Sequence, residues 1–167
     1  AGLGARLYCD LFSYPLNGPE GVPQEQTYSF TYKNALFLMI DATSPIETQS
    51  AWIEKQLAGS KATWKIAMFH FAPYNWEEPY LDIQKAWEPI FDRYQDDKIA
   101  ASYKDGTAYI ISVGIPNSGR PMTEEPYAFV RDGKGHLYQS VKIEGNTLTM
   151  ESVNMQGKTI DSFSLKK

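Results

Sequence analysis

The chain has 167 residues, a net charge of −4, two histidines and one cysteine. A single cysteine excludes an internal disulfide, and so few cysteines and histidines exclude a zinc module built on four cysteines or on two cysteines with two histidines. A composition 43% hydrophobic and 22% charged is that of a globular protein, the acidic balance argues against a nucleic-acid backbone as partner, and no apolar run is long enough to span a membrane.

Residues 1–26 hold Gly2, Gly4, Pro15, Asn17-Gly18-Pro19 and Gly21-Val22-Pro23. Such Asn-Gly and Gly-Pro steps mark turns, so this stretch reads as irregular. No signal peptide is visible, and Ala1 in place of an initiating Met suggests a processed or internal start. Thr27 to Tyr32 alternates hydroxyl and aromatic residues, the pattern of a half-buried strand. Lys33-Asn34 forms a two-residue turn into the apolar run Ala35 to Ile40, which ends at Asp41, and the two strands read as a hairpin. A helix is expected from about Glu47 to Ala58. Thr43 or Ser44 caps it, Trp52, Ile53 and Leu57 lie on its inner side, and Gly59 ends it.

Trp64 to Phe69 is the next strand, with His70 at its carboxyl end. Pro73 and Pro79 mark the loop that follows. Ile83, Trp87, Ile90 or Phe91, and Tyr94 give a helical stripe up to Gln95, which Pro89 should break or kink. A βαβ rhythm calls for a strand directly after this helix, but Asp96-Asp97-Lys98 follows instead. Thr107 to Val113 reads as a buried strand. Gly135 to Glu144, Thr147 to Asn154 and Lys158 to Ser164 are alternating strands joined at Gly145-Asn146 and Gln156-Gly157, an antiparallel meander.

His70 is the main candidate for chemistry. Open α/β sheets present ligand groups just past the carboxyl ends of their strands, and a neutral imidazole ligates borderline divalent metals well. The same position equally suits a histidine held by backbone hydrogen bonds. Asp41 reads as the cap of a turn. His136 has no assigned role, and Cys9 reads as a buried or idle thiol. The pairs Asp96-Asp97, Glu77-Glu78 and Glu124-Glu125 read as surface charge. Gly114 to Gly119 matches neither a P-loop nor a dinucleotide fingerprint, and no Gly-x-Ser-x-Gly elbow supports a serine hydrolase.

Several segments taken in order resemble the calcineurin-like metallophosphoesterases, in their purple acid phosphatase-like branch. They are Asn17-Gly18-Pro19-Glu20-Gly21, Tyr28 to Asn34, Leu38 to Asp41, Gln49 to Leu57, Trp64 to Tyr74, Trp87 to Tyr94, Gly106 to Ile110, and the tail to Ser164. The resemblance implies one α/β domain over residues 1–167: a four-layer α/β/β/α sandwich of mixed sheets flanked by helices, with the antiparallel meander at its C-terminal end. It implies hydrolysis of a phosphate-ester small molecule by a phosphatase or phosphodiesterase, through in-line attack of a hydroxide bridging two metals drawn from Fe, Zn and Mn. His70, with Pro73 and Tyr74 behind it, matches a metal-ligating histidine of the family, and Tyr74 would line the phosphate pocket. Phe71 stands where many relatives carry a second histidine. Many relatives are exported, which implies a secreted or periplasmic location.

The family's other ligand motifs are absent. A Gly-Asp pair and a Gly-Asn-His-Asp or Gly-Asn-His-Glu motif should precede this region, and a Gly-His-x-His motif should follow the Tyr94 helix. Either a segment of the parent protein is missing between Gln95 and Asp96, or a strand has been deleted. The first is favoured, because deleting a central strand would expose backbone groups of the sheet interior. The chain as it stands should therefore be inactive, and no residue is assigned a catalytic role. The alternative is a non-catalytic binding domain of the same fold that recognises a sugar or a protein through Trp76, Tyr80 and neighbouring aromatics.

Overall fold

The computed structural model describes residues 10–74, 79–94, 107–112 and 136–167. The protein is mixed α/β, and its residues divide into two compact units. The first comprises Ala1–Tyr74 with Tyr80–Thr107, and the second comprises Asn75–Pro79 with Ala108–Lys167. Cys9, Trp76, Glu77, Glu78, Glu124, Glu125, Gly114 to Gly119, Val113 and the Gln95–Asp96 junction lie outside the described residues.

The first unit is built from β1 (Tyr28–Tyr32), β2 (Ala35–Met39), α1 (Ile46–Gly59), β3 (Trp64–Met68) and α2 (Leu81–Arg93). Its sheet has the order β1-β2-β3. β1 and β2 form the expected antiparallel hairpin, with Phe30 opposite Phe37, and Lys33 takes the left-handed φ of 52° that the tight turn demands. β2 and β3 are parallel, with Phe37 opposite Ile66, and α1 supplies the crossover that parallel neighbours require.

Strand periodicity decides which side of this sheet the helices cover. Leu36, Leu38 and Ile40 point one way, and they join Trp52, Ile53 and Leu57 of α1 and Ile83, Trp87, Ile90 and Phe91 of α2 in one buried cluster. The alternate positions face the other way. There the rings of Phe12, Tyr14, Tyr28, Phe30 and Phe37 stack in sequence, with successive centroids 4.7–6.4 Å apart.

The irregular lead-in is confirmed over residues 12–27, and a polar network ties it down. Asn17 pairs with Ser29 through both its amide and its carbonyl oxygen, and the Trp52 indole donates to the Asn17 carbonyl at 2.7 Å. The Thr27 hydroxyl donates to Gln49 Oε1 at 2.7 Å and accepts from the Asp41 N–H at 3.0 Å. Gly18 is required where this segment crosses β1, because a Cβ there would lie 2.1 Å from the Thr27 carbonyl oxygen.

Three local expectations are corrected. Neither Thr43 nor Ser44 caps α1. Pro45 holds the cap position without a side-chain bond, and both hydroxyls instead donate to the Asp41 carboxylate, a charged acceptor within three residues. The helix ends at Gly59 as expected, with extended Ser60 closing it by donating its N–H to the Leu57 carbonyl. α2 continues through Pro89. The lost hydrogen bond and ring clash cost about 3 kcal/mol, and this is offset by the buried stripe of Ile83, Trp87, Ile90 and Phe91 on both sides of the proline. Residues 107–112 form no strand, and Ile110 and Ile111 are 46% and 48% exposed. A β-branched run becomes a strand only when a partner strand satisfies its backbone.

The second unit carries β4 (Leu137–Glu144), β5 (Thr147–Asn154) and β6 (Thr159–Lys166). They form the predicted antiparallel meander in the order β4-β5-β6. Gly145 and Gly157 take φ values of 57° and 75° in its two turns. One face aligns Ile143, Leu148 and Leu165, then Val141, Met150 and Phe163, and Leu148 and Met150 are buried.

Candidate functional site

The carboxyl edge of the parallel pair β2–β3 brings two of the sequence candidates to one side of the first unit. Met39 and Met68 are the last paired residues, and the Ile40 N–H extends the ladder by donating to the Met68 carbonyl at 2.9 Å. Asp41 and His70 each follow two residues beyond that pair. A cavity of about 330 Å³ opens at this edge, lined by Gln26, Tyr28, Met39, Ile40, Met68 and Phe69. Burial and the adjacent Tyr14 push the Tyr28 phenol above its ordinary 10.0, so Tyr28 enters this cavity as a neutral hydrogen-bonding group.

His70 reaches solvent because of the residues on either side of it. Phe69 turns inward, edge-on to Trp87 at 5.3 Å and stacked on Phe91 at 6.3 Å. Strand alternation then sends His70 outward, and it is exposed. Its ring rests edge-on against Phe71 at 5.1 Å, and Phe71 stacks on Tyr80 at 4.7 Å. That stacking occupies one face of Tyr80, which the sequence alone suggests as a free aromatic for a binding partner.

The loop after His70 is fastened to α2. Gln84 Nε2 donates to the Pro73 carbonyl at 2.5 Å. The Tyr74 hydroxyl donates to the Glu88 carboxylate. Burial, that hydrogen bond and the charges of Glu88 and Asp92 together hold the Tyr74 phenol far above its ordinary pKa. Glu88 and Asp92 lie four residues apart, on one face of α2. Burial, reinforced by Glu88, raises the Asp92 carboxyl too. Tyr74 is therefore a protonated donor committed to Glu88, and an anion at Tyr74 would have to compete with that carboxylate. The Tyr74–Glu88–Asp92 cluster escapes a reading of the sequence. Its one signal is the i, i+4 spacing of two carboxylates in a helix, and nothing in the sequence says that a tyrosine meets them.

Asp41 is occupied as a turn cap. Its Oδ1 accepts from the Thr43 N–H at 2.9 Å and from the Thr43 hydroxyl at 2.6 Å, and its Oδ2 accepts from the Ser44 hydroxyl at 2.9 Å. Among the described residues, no three His, Cys, Asp or Glu side chains converge as a metal site would require. His70 can supply one imidazole ligand, but the described residues do not make up a two-metal centre. His136 stands just before β4, in the second unit. No described helix is long and apolar enough to cross a membrane. No protein-family model matches the chain, and no curated protein matches it.

Proposed function

We propose that this chain is part of a metal-dependent phosphoesterase, acting on a phosphate-ester small molecule, with His70 as one metal ligand. The observation that carries the reading is the position of His70. It is exposed two residues past the carboxyl end of a strand in a parallel pair, next in sequence to the cavity-lining Phe69, where α/β sheets hold their ligands. Phe69 anchors the backbone before His70 in the core, and Phe71, itself stacked on Tyr80, rests against the imidazole, which suits a group that has to be oriented before it binds.

The finer fold belongs to the same proposal. In a four-layer sandwich a sheet has helices on one face and an apolar second face against another sheet. The first sheet has helices on one side and Phe30, Phe37, Met39, Ile66 and Met68 on the other. The meander likewise has one apolar face. Two transition metals, Fe, Zn or Mn, and an exported location are part of the proposal by resemblance.

Elemental analysis of the intact purified protein and hydrolysis of p-nitrophenyl phosphate with Mn, Zn or Fe supplied test the proposal. Bound transition metal and turnover are expected, and His70→Ala should lose both while keeping its circular dichroism spectrum. Absence of metal and of hydrolysis in the intact protein would sink the phosphoesterase reading and leave a non-catalytic binding domain.

A further inference from the structure

The amino edge of the first sheet carries a different cavity. It lies at the opposite end of β2 and β3 from His70, one strand length away, or about 16 Å at the usual rise per residue. Its volume is about 690 Å³, and Lys33, Lys55 and Lys61 line it together with Asn34, Gln56 and Ser60. No Asp or Glu is among its described lining residues, although the chain as a whole has a net charge of −4.

Two neutral lining groups are anchored by the fold. Gln56 Oε1 accepts from the Ser29 hydroxyl at 2.9 Å, and Ser60 Oγ accepts from the Ala62 N–H at 3.1 Å. Each also carries donor hydrogens that an anion can use. Gln56, Gly59 and Ser60 belong to the carboxyl end of α1, whose partial negative charge opposes an anion, so the three lysines carry the attraction.

We propose that this cleft binds a small molecule bearing two or more linked phosphate groups. Three ammonium groups repel one another, and a multivalent anion relieves that repulsion. Lysines act as flexible point charges on phosphate, and the cavity is larger than one phosphate group. The lysines are exposed, so the attraction is screened by salt. The site stands independently of the phosphoesterase reading, since it shares no residue with the carboxyl edge.

Calorimetric titration of the intact protein with sodium tripolyphosphate tests it. One site is expected at low ionic strength, with an affinity that falls as salt is added. Lys55→Ala with Lys61→Ala should weaken binding about tenfold or more, while Lys55→Arg with Lys61→Arg keeps most of it. Thermal unfolding checks that each variant folds, and the single change Lys61→Glu replaces the alanine pair if that pair does not. Binding in His70→Ala should match the parent. No binding at low ionic strength, full affinity in the alanine pair or the Lys61→Glu variant, or loss of affinity in His70→Ala would each overturn the proposal. Equal affinity for a polyglutamate peptide would also overturn it, by marking the patch as a surface for acidic proteins.

Discussion

The two sheets of this protein reach three strands by opposite routes. The first has five-residue strands, and two of its three run parallel across a helical crossover. Its order depends on distant groups: α1 and α2 cover one face, and Asn17, Thr27, Gln49 and Trp52 hold the lead-in segment. The second sheet has eight-residue strands joined by tight turns. Its cross-strand pairs are local, such as Thr149 with Ser164 at 2.9 Å and Ser152 with Gln139 at 2.5 Å. Long strands with local pairing carry their own register, whereas short strands need burial from elsewhere. The candidate groups for chemistry stand on the sheet that depends on distant contacts.

The sharpest way to break this contrast is to remove the shared core of the first unit. Trp87 is fully buried, touches Phe69 edge-on and donates its indole N–H to the Ile46 carbonyl at 3.2 Å. Trp87→Ala is expected to cost about 3–5 kcal/mol, read as a lowered urea midpoint by circular dichroism. Hydrogen exchange should show the loss in β1–β3 while the β4–β6 amides keep their protection. Equal loss of protection in both sheets would show that the two are not independent.

Gln49→Leu tests the polar half of the same dependence. Its amide donates to the Asp41 carbonyl at 3.0 Å while its Oε1 accepts from Thr27. Leucine leaves both partners unsatisfied beside the core, at a cost of about 1–3 kcal/mol. The lead-in residues should become the first protease-sensitive site of the first unit. Gly145→Ala is the counterpart in the meander. Its φ of 57° is left-handed, and no atom lies within 4 Å of an added Cβ. Only backbone strain is expected, about 1 kcal/mol, as a small fall in melting temperature with the strand spectrum intact.

The smallest effect is a pH dependence at the Tyr74–Glu88–Asp92 cluster. The Asp92 carboxyl is raised from its ordinary 3.8 by burial first, with a Thr107 hydrogen bond opposing the rise and the Glu88 charge adding to it. A carboxyl that holds its proton more tightly when folded weakens the fold as pH rises from about 3.8 through the folded value. Asp92→Asn should therefore gain stability at neutral pH and flatten that part of the pH profile. A variant whose stability follows the parent at every pH would show that Asp92 carries no folding-linked proton.

Much of the architecture was legible because it rests on short-range pattern. The hairpin at Lys33-Asn34, the buried faces of both helices, the place of His70 and the whole meander follow from periodicity and turn chemistry. The failures have two causes. Capping of α1 by Thr43 or Ser44 gave way to the Asp41 carboxylate, and the Pro89 break gave way to packing of the α2 stripe, so a competing contact overrode the local preference. Thr107 to Ser112 forms no strand because strand formation depends on a neighbouring strand as well as on residue type.

The candidate site divides in the same way. That His70 stands just past the carboxyl end of a strand is set by residue order, whereas the packing of the helices decided that it would face away from the core. Tertiary structure alone decided that Tyr74 would donate to Glu88 and that Lys33, Lys55 and Lys61 would share one cleft. Periodicity assigns a side chain to a face. Its partner depends on how faces distant in sequence pack, because hydrogen bonds and charge pairs act only over a few ångströms.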